Sequence, residues 1–263
     1  VSLNSIKDAI SYVLLRSGYI GKTIYYQYIK AFKSVKLLVV YIETTNYCNR
    51  SCVYCPNSVS RKPKHRMETE LIYKIVDELA EANFAGAISP LGFGEPLLDE
   101  RIFDVVRYMR LKLPTNKIYI TTNGDFLTKE MYYRLLSCGV DHVIVSMHDY
   151  IDESNRIQSN NIEYSNYSDS SIRLNNRAGA VSLVKEIRLE KIYSCWSIQS
   201  LTVDSYGDVK ICCNDYHSVV KYGNVAEKSI IDVWNGEQYK RDRDRVAAGF
   251  FDYDICKKCT SGE

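Results

Sequence analysis

Three cysteines, Cys48, Cys52 and Cys55, stand in the run Cys48-Asn-Arg-Ser-Cys-Val-Tyr-Cys55, a C-x3-C-x2-C spacing just beyond an apolar segment. Three thiolates on one short loop can hold three irons of a [4Fe–4S] cluster and leave the fourth iron open to a small chelating molecule. A structural zinc ion wants four ligands, and the nearest histidine, His65, is not spaced like a finger ligand. Four more cysteines, Cys195, Cys212, Cys256 and Cys259, lie in the last third of the chain. Four thiolates can close a second [4Fe–4S] cluster with no open iron, suited to electron transfer or structure, or hold a structural zinc. Cys138 and Cys213 remain. Cys138 reads as a packed small hydrophobe. Cys213 alternates with Cys212 on a strand and so faces away from it. It is either an inert neighbour or a free thiol able to donate a hydrogen atom.

The elements that must position these groups follow from the apolar pattern. Strands are predicted over Leu37–Glu43, Ala87–Leu91, Lys117–Thr122 and His142–Met147, and helices over Glu68–Asn83, Arg101–Lys112 and Thr128–Ser137. Leu71, Ile72, Ile75, Val76 and Leu79 give the first helix one apolar face. Thr128 is the expected N-cap and Gly139 the expected stop of the third. Alternating strands and helices imply a parallel sheet with functional loops at the carboxyl ends of its strands. The segment 149–176 breaks this rhythm with Ser, Asn, Tyr and charge, and reads as either a surface loop or a substrate-facing loop. A short helix over Val181–Leu189 is expected next, then a hairpin of Leu201–Val203 and Val209–Cys212, and a final helix over Ile230–Val246. Residues 1–36 read as two short helices split near Gly18 and Gly21, with six Lys or Arg and one Asp. That pattern fits a helical cap packed on the main domain better than a membrane-surface helix.

The chain has 263 residues, 34 basic against 32 acidic side chains and nine cysteines. A net charge of +2 gives no reason to expect a nucleic-acid partner. No apolar run approaches a membrane span. The odd cysteine count and the missing signal-peptide pattern argue against a secreted disulfide scaffold and for a reducing cytoplasm.

At Cys48, Cys52, Cys55 and the aromatic Tyr54, the sequence resembles the radical S-adenosylmethionine superfamily. The resemblance extends to Gly92-Phe-Gly94-Glu95-Pro96 after the second strand, Thr122-Asn123-Gly124 at the end of the third and Ser146 at the end of the fourth. It implies that Tyr54, Gly92, Gly94, Glu95, Asn123 and Ser146 contact S-adenosylmethionine, with Glu95 at the methionine amino group. It also implies reductive cleavage to a 5′-deoxyadenosyl radical, with an external one-electron reductant such as flavodoxin or ferredoxin. Cys195, Gly207, Cys212, Asp232-Val-Trp-Asn235 and Cys256-x2-Cys259 resemble the SPASM/twitch auxiliary-cluster domain, in its short form with one extra [4Fe–4S] cluster. Positions 214–255 hold no cysteine for another.

The expected architecture is therefore α/β: a truncated partial (β/α) barrel over 37–194, a small C-terminal β-hairpin and helix auxiliary domain over 195–263, and the helical extension 1–36. Truncation with a single auxiliary cluster resembles radical dehydrogenases of sugars and aminocyclitols, so a small polar substrate is favoured over a peptide. Arg177 is a candidate for orienting the substrate hydroxyl, His148 for proton transfer, and Cys213 for hydrogen donation. The competing readings are a radical epimerase, a peptide maturase forming thioether or carbon–carbon crosslinks, and, outside enzymes, a cysteine-rich zinc-binding interaction module.

Overall fold

The computed structural model describes residues 20–21, 23–25, 27–28, 35–149, 152–166, 176–181 and 195–261. Strand β1 (Val39–Ile42) is followed by helix α1 (Thr69–Glu81), β2 (Ala87–Ser89), α2 (Ile102–Lys112), β3 (Tyr119–Thr122), α3 (Lys129–Cys138), β4 (His142–Met147) and β5 (Ile162–Asn166). β1 pairs parallel with β2, and β3, β4 and β5 pair parallel in turn. A parallel bridge from Ile88 to Ile118 joins the two sets. This is an open, curved fragment of a (β/α) barrel.

Side chains alternate across the strands, and that alternation divides core from chemistry. Val40, Ile42, Ile120, Val143 and Val145 are buried. Their neighbours Tyr41, Thr121, Ile144 and Ser146 face the concave side, where a cavity opens. The helices cover the other face. α1 buries Ile72, Ile75, Val76 and Leu79, each worth about 1.5–3 kcal/mol relative to exposure. α3 is capped as its sequence predicts: Thr128 Oγ1 accepts from Met131 N at 3.1 Å, and Gly139 takes the left-handed conformation at φ +110°.

The C-terminal third continues the main sheet. β6 (Ser200–Val203) pairs parallel with β1, then antiparallel with β7 (Asp208–Lys210), which pairs with β8 (Lys221–Asn224). Helices α4 (Ile230–Asn235), α5 (Glu237–Ala247) and α6 (Asp254–Ser261) complete the described chain.

The structure corrects several expectations. The final helix is two helices, broken at Gly236, whose extended ψ of 137° ends one and starts the next. Segment 149–176 is not loop throughout, because β5 lies within it. The hairpin has a third strand, β8. Ile20 and Gly21 are helical, and the split expected near Gly18 lies outside the described residues. The buried Tyr25 packs with Ala247 and Ala248. The helix expected from Val181 and most of residues 1–36 lie outside the described residues.

Candidate active site

The triad loop is tied down at many points. Asn46 Nδ2 donates to Pro63 O at 2.9 Å and its Oδ1 accepts from His65 N at 2.8 Å, closing the loop at its base. Asn57 Nδ2 donates to Phe93 O at 2.9 Å. Arg50 clamps the loop to its neighbours. Its Nε and Nη2 both bond Asp125 after β3, and its Nη1 reaches Asp149 after β4 at 2.6 Å. The guanidinium holds the Asp125 carboxyl below the usual carboxylate range. Cys48 Sγ accepts from Arg50 N at 3.5 Å and from Asn123 Nδ2 at 3.8 Å. Burial pushes all three thiols up, and the Cys55 thiol adds to the effect on Cys48 and Cys52. Converging thiols that repel one another when ionised, and N–H donors already aimed at sulfur, suit an iron–sulfur core.

Cys48, Cys52 and Cys55 line a cavity of about 490 Å³ on the concave side of the sheet. Tyr54, Gly92, Gly94, Glu95, Asn123, Ser146, His148, Arg177 and Cys213 line it too. The structure thus brings together every residue proposed for cofactor contact or catalysis. Their local roles differ. A side chain at Gly94 would stand 2.0 Å from Thr45 O, and one at Gly92 2.4 Å from the Glu43 side chain, so this turn packs directly on the loop after β1. Glu95, expected at the methionine amino group, is 2% exposed, lines the cavity and accepts three hydrogen bonds from the chain. Its Oε1 accepts from Leu97 N and Thr122 Oγ1, and its Oε2 from Asn123 N at 2.7 Å. Burial raises its pKa against those donors. Glu95 is placed as the brace between the glycine turn and the end of β3. Asn123 likewise spends its amide on Cys48 and Asn49. The Tyr54 hydroxyl bonds His148 Nδ1, and burial, then Arg50, lowers the His148 pKa.

The tetrad is built from three distant segments. Cys195, itself extended, stands at the start of a 3-10 turn, Cys212 follows β7, and Cys256 and Cys259 lie one turn apart on α6. All four line a second space, walled by apolar groups including Ile211, Tyr222, Tyr239, Val246 and Ile255. Burial pushes the Cys212 thiol well up, with Cys213, Cys256 and Cys195 adding to it. Cys256 is pushed up to about 12 by burial, then by Cys195 and Cys259. Four mutually repelling thiols in an apolar wall fit a cationic iron–sulfur core. Among the described residues, no group of His, Cys, Asp or Glu is drawn together as a ready site for a single metal ion. Cys213 turns away from the tetrad space into the large cavity, as alternation predicts, although β7 stops at Lys210.

Several site residues were missed in the sequence. Glu43 Oε1 accepts from Phe93 N at 2.7 Å and Oε2 from Ser205 N at 3.1 Å, so one buried carboxylate joins β1, the glycine turn and the β6–β7 hairpin. Lys210, 2% exposed, faces the same cavity. Its position between Val209 and Ile211 was the available signal, a lone cation inside an apolar strand. Glu163 and Ser165 of β5 also reach the cavity.

Comparison with known proteins agrees with this geometry. A model of the Radical SAM superfamily matches residues 42–179, and the SPASM model, an iron–sulfur cluster-binding domain, matches residues 195–260. The S-adenosyl-L-methionine-dependent 2-deoxy-scyllo-inosamine dehydrogenase of Niallia circulans is 30% identical over 234 residues, 85% of this chain and 92% of that protein. The crystal structure of BtrN in complex with AdoMet and 2-DOIA superposes with a TM-score of 0.74 at 29% identity, covering 85% of this chain and 93% of that one. Streptococcus suis SuiB bound to the precursor peptide SuiA shares the fold at a TM-score of 0.54 and 13% identity, over 89% of this chain and 79% of that one.

Proposed function

Given that this chain belongs to the radical S-adenosylmethionine superfamily and carries a SPASM-type iron–sulfur domain, we propose that it dehydrogenates a hydroxyl-bearing small molecule of the aminocyclitol or sugar class. One observation carries the reading: a single cavity has the cysteine triad in its wall and Arg177 and Cys213, neighbours of the tetrad, in the same wall. The bound cofactors supply a 5′-deoxyadenosyl radical and a one-electron acceptor, so that a carbinol loses a hydrogen atom, a proton and an electron and becomes a carbonyl.

In this reading Cys48, Cys52 and Cys55 hold one [4Fe–4S] cluster, and Cys195, Cys212, Cys256 and Cys259 the other. The turn at Gly92–Gly94, Glu95, Asn123 and Ser146 face S-adenosylmethionine, and Glu95 and Asn123 also brace that wall. Arg177 orients the substrate oxygen with fixed donors. His148, kept neutral by burial and by Arg50 and bonded to Tyr54, takes up a proton from the substrate side. The reductant is an external one-electron carrier such as flavodoxin or ferredoxin, and the compartment is the cytoplasm. No helix among the described residues is long and apolar enough to cross a membrane.

The test is anaerobic reconstitution with 2-deoxy-scyllo-inosamine as the first probe. About eight irons per chain, 5′-deoxyadenosine and a carbonyl product are expected. Zinc in place of iron, with no 5′-deoxyadenosine, refutes the proposal. A second reading, redox-neutral epimerisation, is favoured by the Cys213 thiol in the cavity wall. Cys213→Ala separates the two, because only epimerisation needs that hydrogen.

A further inference from the structure

Asn214 lines the tetrad space and bonds Arg177 of the large cavity. Its Oδ1 accepts from Arg177 Nη1 at 3.1 Å, and its Nδ2 donates to Cys259 Sγ at 3.9 Å. Arg177 lines the large cavity, whereas Asn214 and Cys259 line the tetrad space. We propose that Arg177 and Asn214 form a hydrogen-bond relay to Cys259 that raises the reduction potential of the auxiliary cluster and ties that potential to what occupies the substrate cavity. The proposal rests on the reading of Cys259 as a cluster ligand.

The physics runs in one direction. An N–H group aimed at a ligating sulfur stabilises the more negative, reduced state of a cluster and so raises its potential. A thiolate bound to iron accepts such a bond more strongly than a neutral thiol does. A guanidinium on the carbonyl end of the same amide polarises it and makes its N–H the better donor. A substrate oxygen drawing on Arg177 competes for that polarisation, so substrate binding and cluster reduction are reciprocally linked.

The backbone at Arg177 supports a built device. Arg177 and Ala178 take φ +50° and +56°, the left-handed region that side-chain-bearing residues seldom occupy. Such strain persists where the surroundings over-determine it, and they do so here. Asn176 Nδ2 donates to Lys258 O at 3.0 Å, and Gly179 packs so closely on Lys258 that a side chain there would stand 2.6 Å from its Cδ. Ala178 is buried against the tetrad space. The turn that presents Arg177 is therefore pinned to α6, the helix that carries Cys256 and Cys259.

The experiment uses the full chain with Cys48, Cys52 and Cys55 changed to Ala, leaving one cluster whose midpoint potential is read by spectroelectrochemical titration. Asn214→Leu is expected to shift the potential to a more negative value with about four irons retained. Arg177→Ala shifts it less in the same direction, and Asn214→Gln recovers part of the loss. The double variant N214L/R177A matches N214L alone, because the arginine acts through the amide. An unchanged potential in N214L overturns the relay. Additive shifts also overturn it, since they mean that the arginine acts by charge through space. If leucine displaces the cluster, Asn214→Ala gives the same reading with less bulk. Four irons retained after Cys259→Ala in this background refutes the ligand assignment instead, so the two failures are told apart.

Discussion

The two cysteine groups solve the same problem in opposite ways. The triad sits on one continuous loop of eight residues, Cys48 to Cys55, held by a polar scaffold of Arg50, Asp125, Asp149, Asn123 and Asn57. The tetrad gathers cysteines from three separate segments into an apolar wall. A local loop can present its sulfurs as soon as its base is closed by Asn46. The tetrad exists only after β6, β7 and α6 have all docked. The difference teaches where each group's reactivity comes from. The triad borders a cavity able to admit a molecule, and the tetrad sits against an apolar wall.

The sharpest way to break the comparison is to delete each group in turn. Changing Cys48, Cys52 and Cys55 to Ala should remove about half the iron and all 5′-deoxyadenosine, with the C-terminal fold intact by circular dichroism. Changing Cys256 and Cys259 to Ala should remove the other half and leave 5′-deoxyadenosine formation in place without carbonyl product. In that variant α6 loses its anchor, and limited proteolysis should cut in the exposed chain just before it, where the wild type resists. Loss of both activities on tetrad removal would mean that the two groups are not separable.

A smaller effect concerns the polar scaffold. Arg50→Ala should leave the fold intact while about tenfold weakening iron retention at the triad alone, read as iron released to a chelator, and Arg50→Lys should recover only part because one ammonium cannot replace the fork to Asp125. The smallest effect is a rate order in the metal-free protein. The thiolate is the reactive form, and Cys256 is raised to about 12. Its alkylation should rise about tenfold per pH unit throughout the alkaline range, checked by mass spectrometry of labelled peptides. A plateau near pH 9 would show that the tetrad thiols are not crowded as described.

Legibility in the sequence followed the same division. The triad was readable because its spacing is local, and the α/β alternation was readable because α1, α2 and α3 each carry an apolar face and β1 to β4 carry β-branched residues. β5 was hidden because an active-site strand turns polar residues inward: Glu163 and Ser165 meet the cavity while Ile162 and Tyr164 pack on the core. β8, Lys221-Tyr-Gly-Asn224, is an edge strand with a charge and a glycine, a composition that reads as loop. Gly236 splits what its apolar spacing drew as one helix. The Arg50 clamp and the Glu95 brace were out of reach for another reason. Each partner lies on a different strand's terminal loop, and no single stretch of sequence records the pairing.

The pairing of β1 with β6 has a consequence in time. Val39 lies against Ser200 and Ile42 against Val203, so the strand that launches the triad loop must wait on the ribosome for a partner synthesised 161 residues later. Until then one edge of β1 is open, with Tyr41 and Ile42 ready to pair with any other extended chain. Contacts so distant in sequence make sheet closure a late, slow event. Iron delivered to the triad before that closure would meet a loop whose hairpin-side support, the Glu43 bond to Ser205, has not yet been translated.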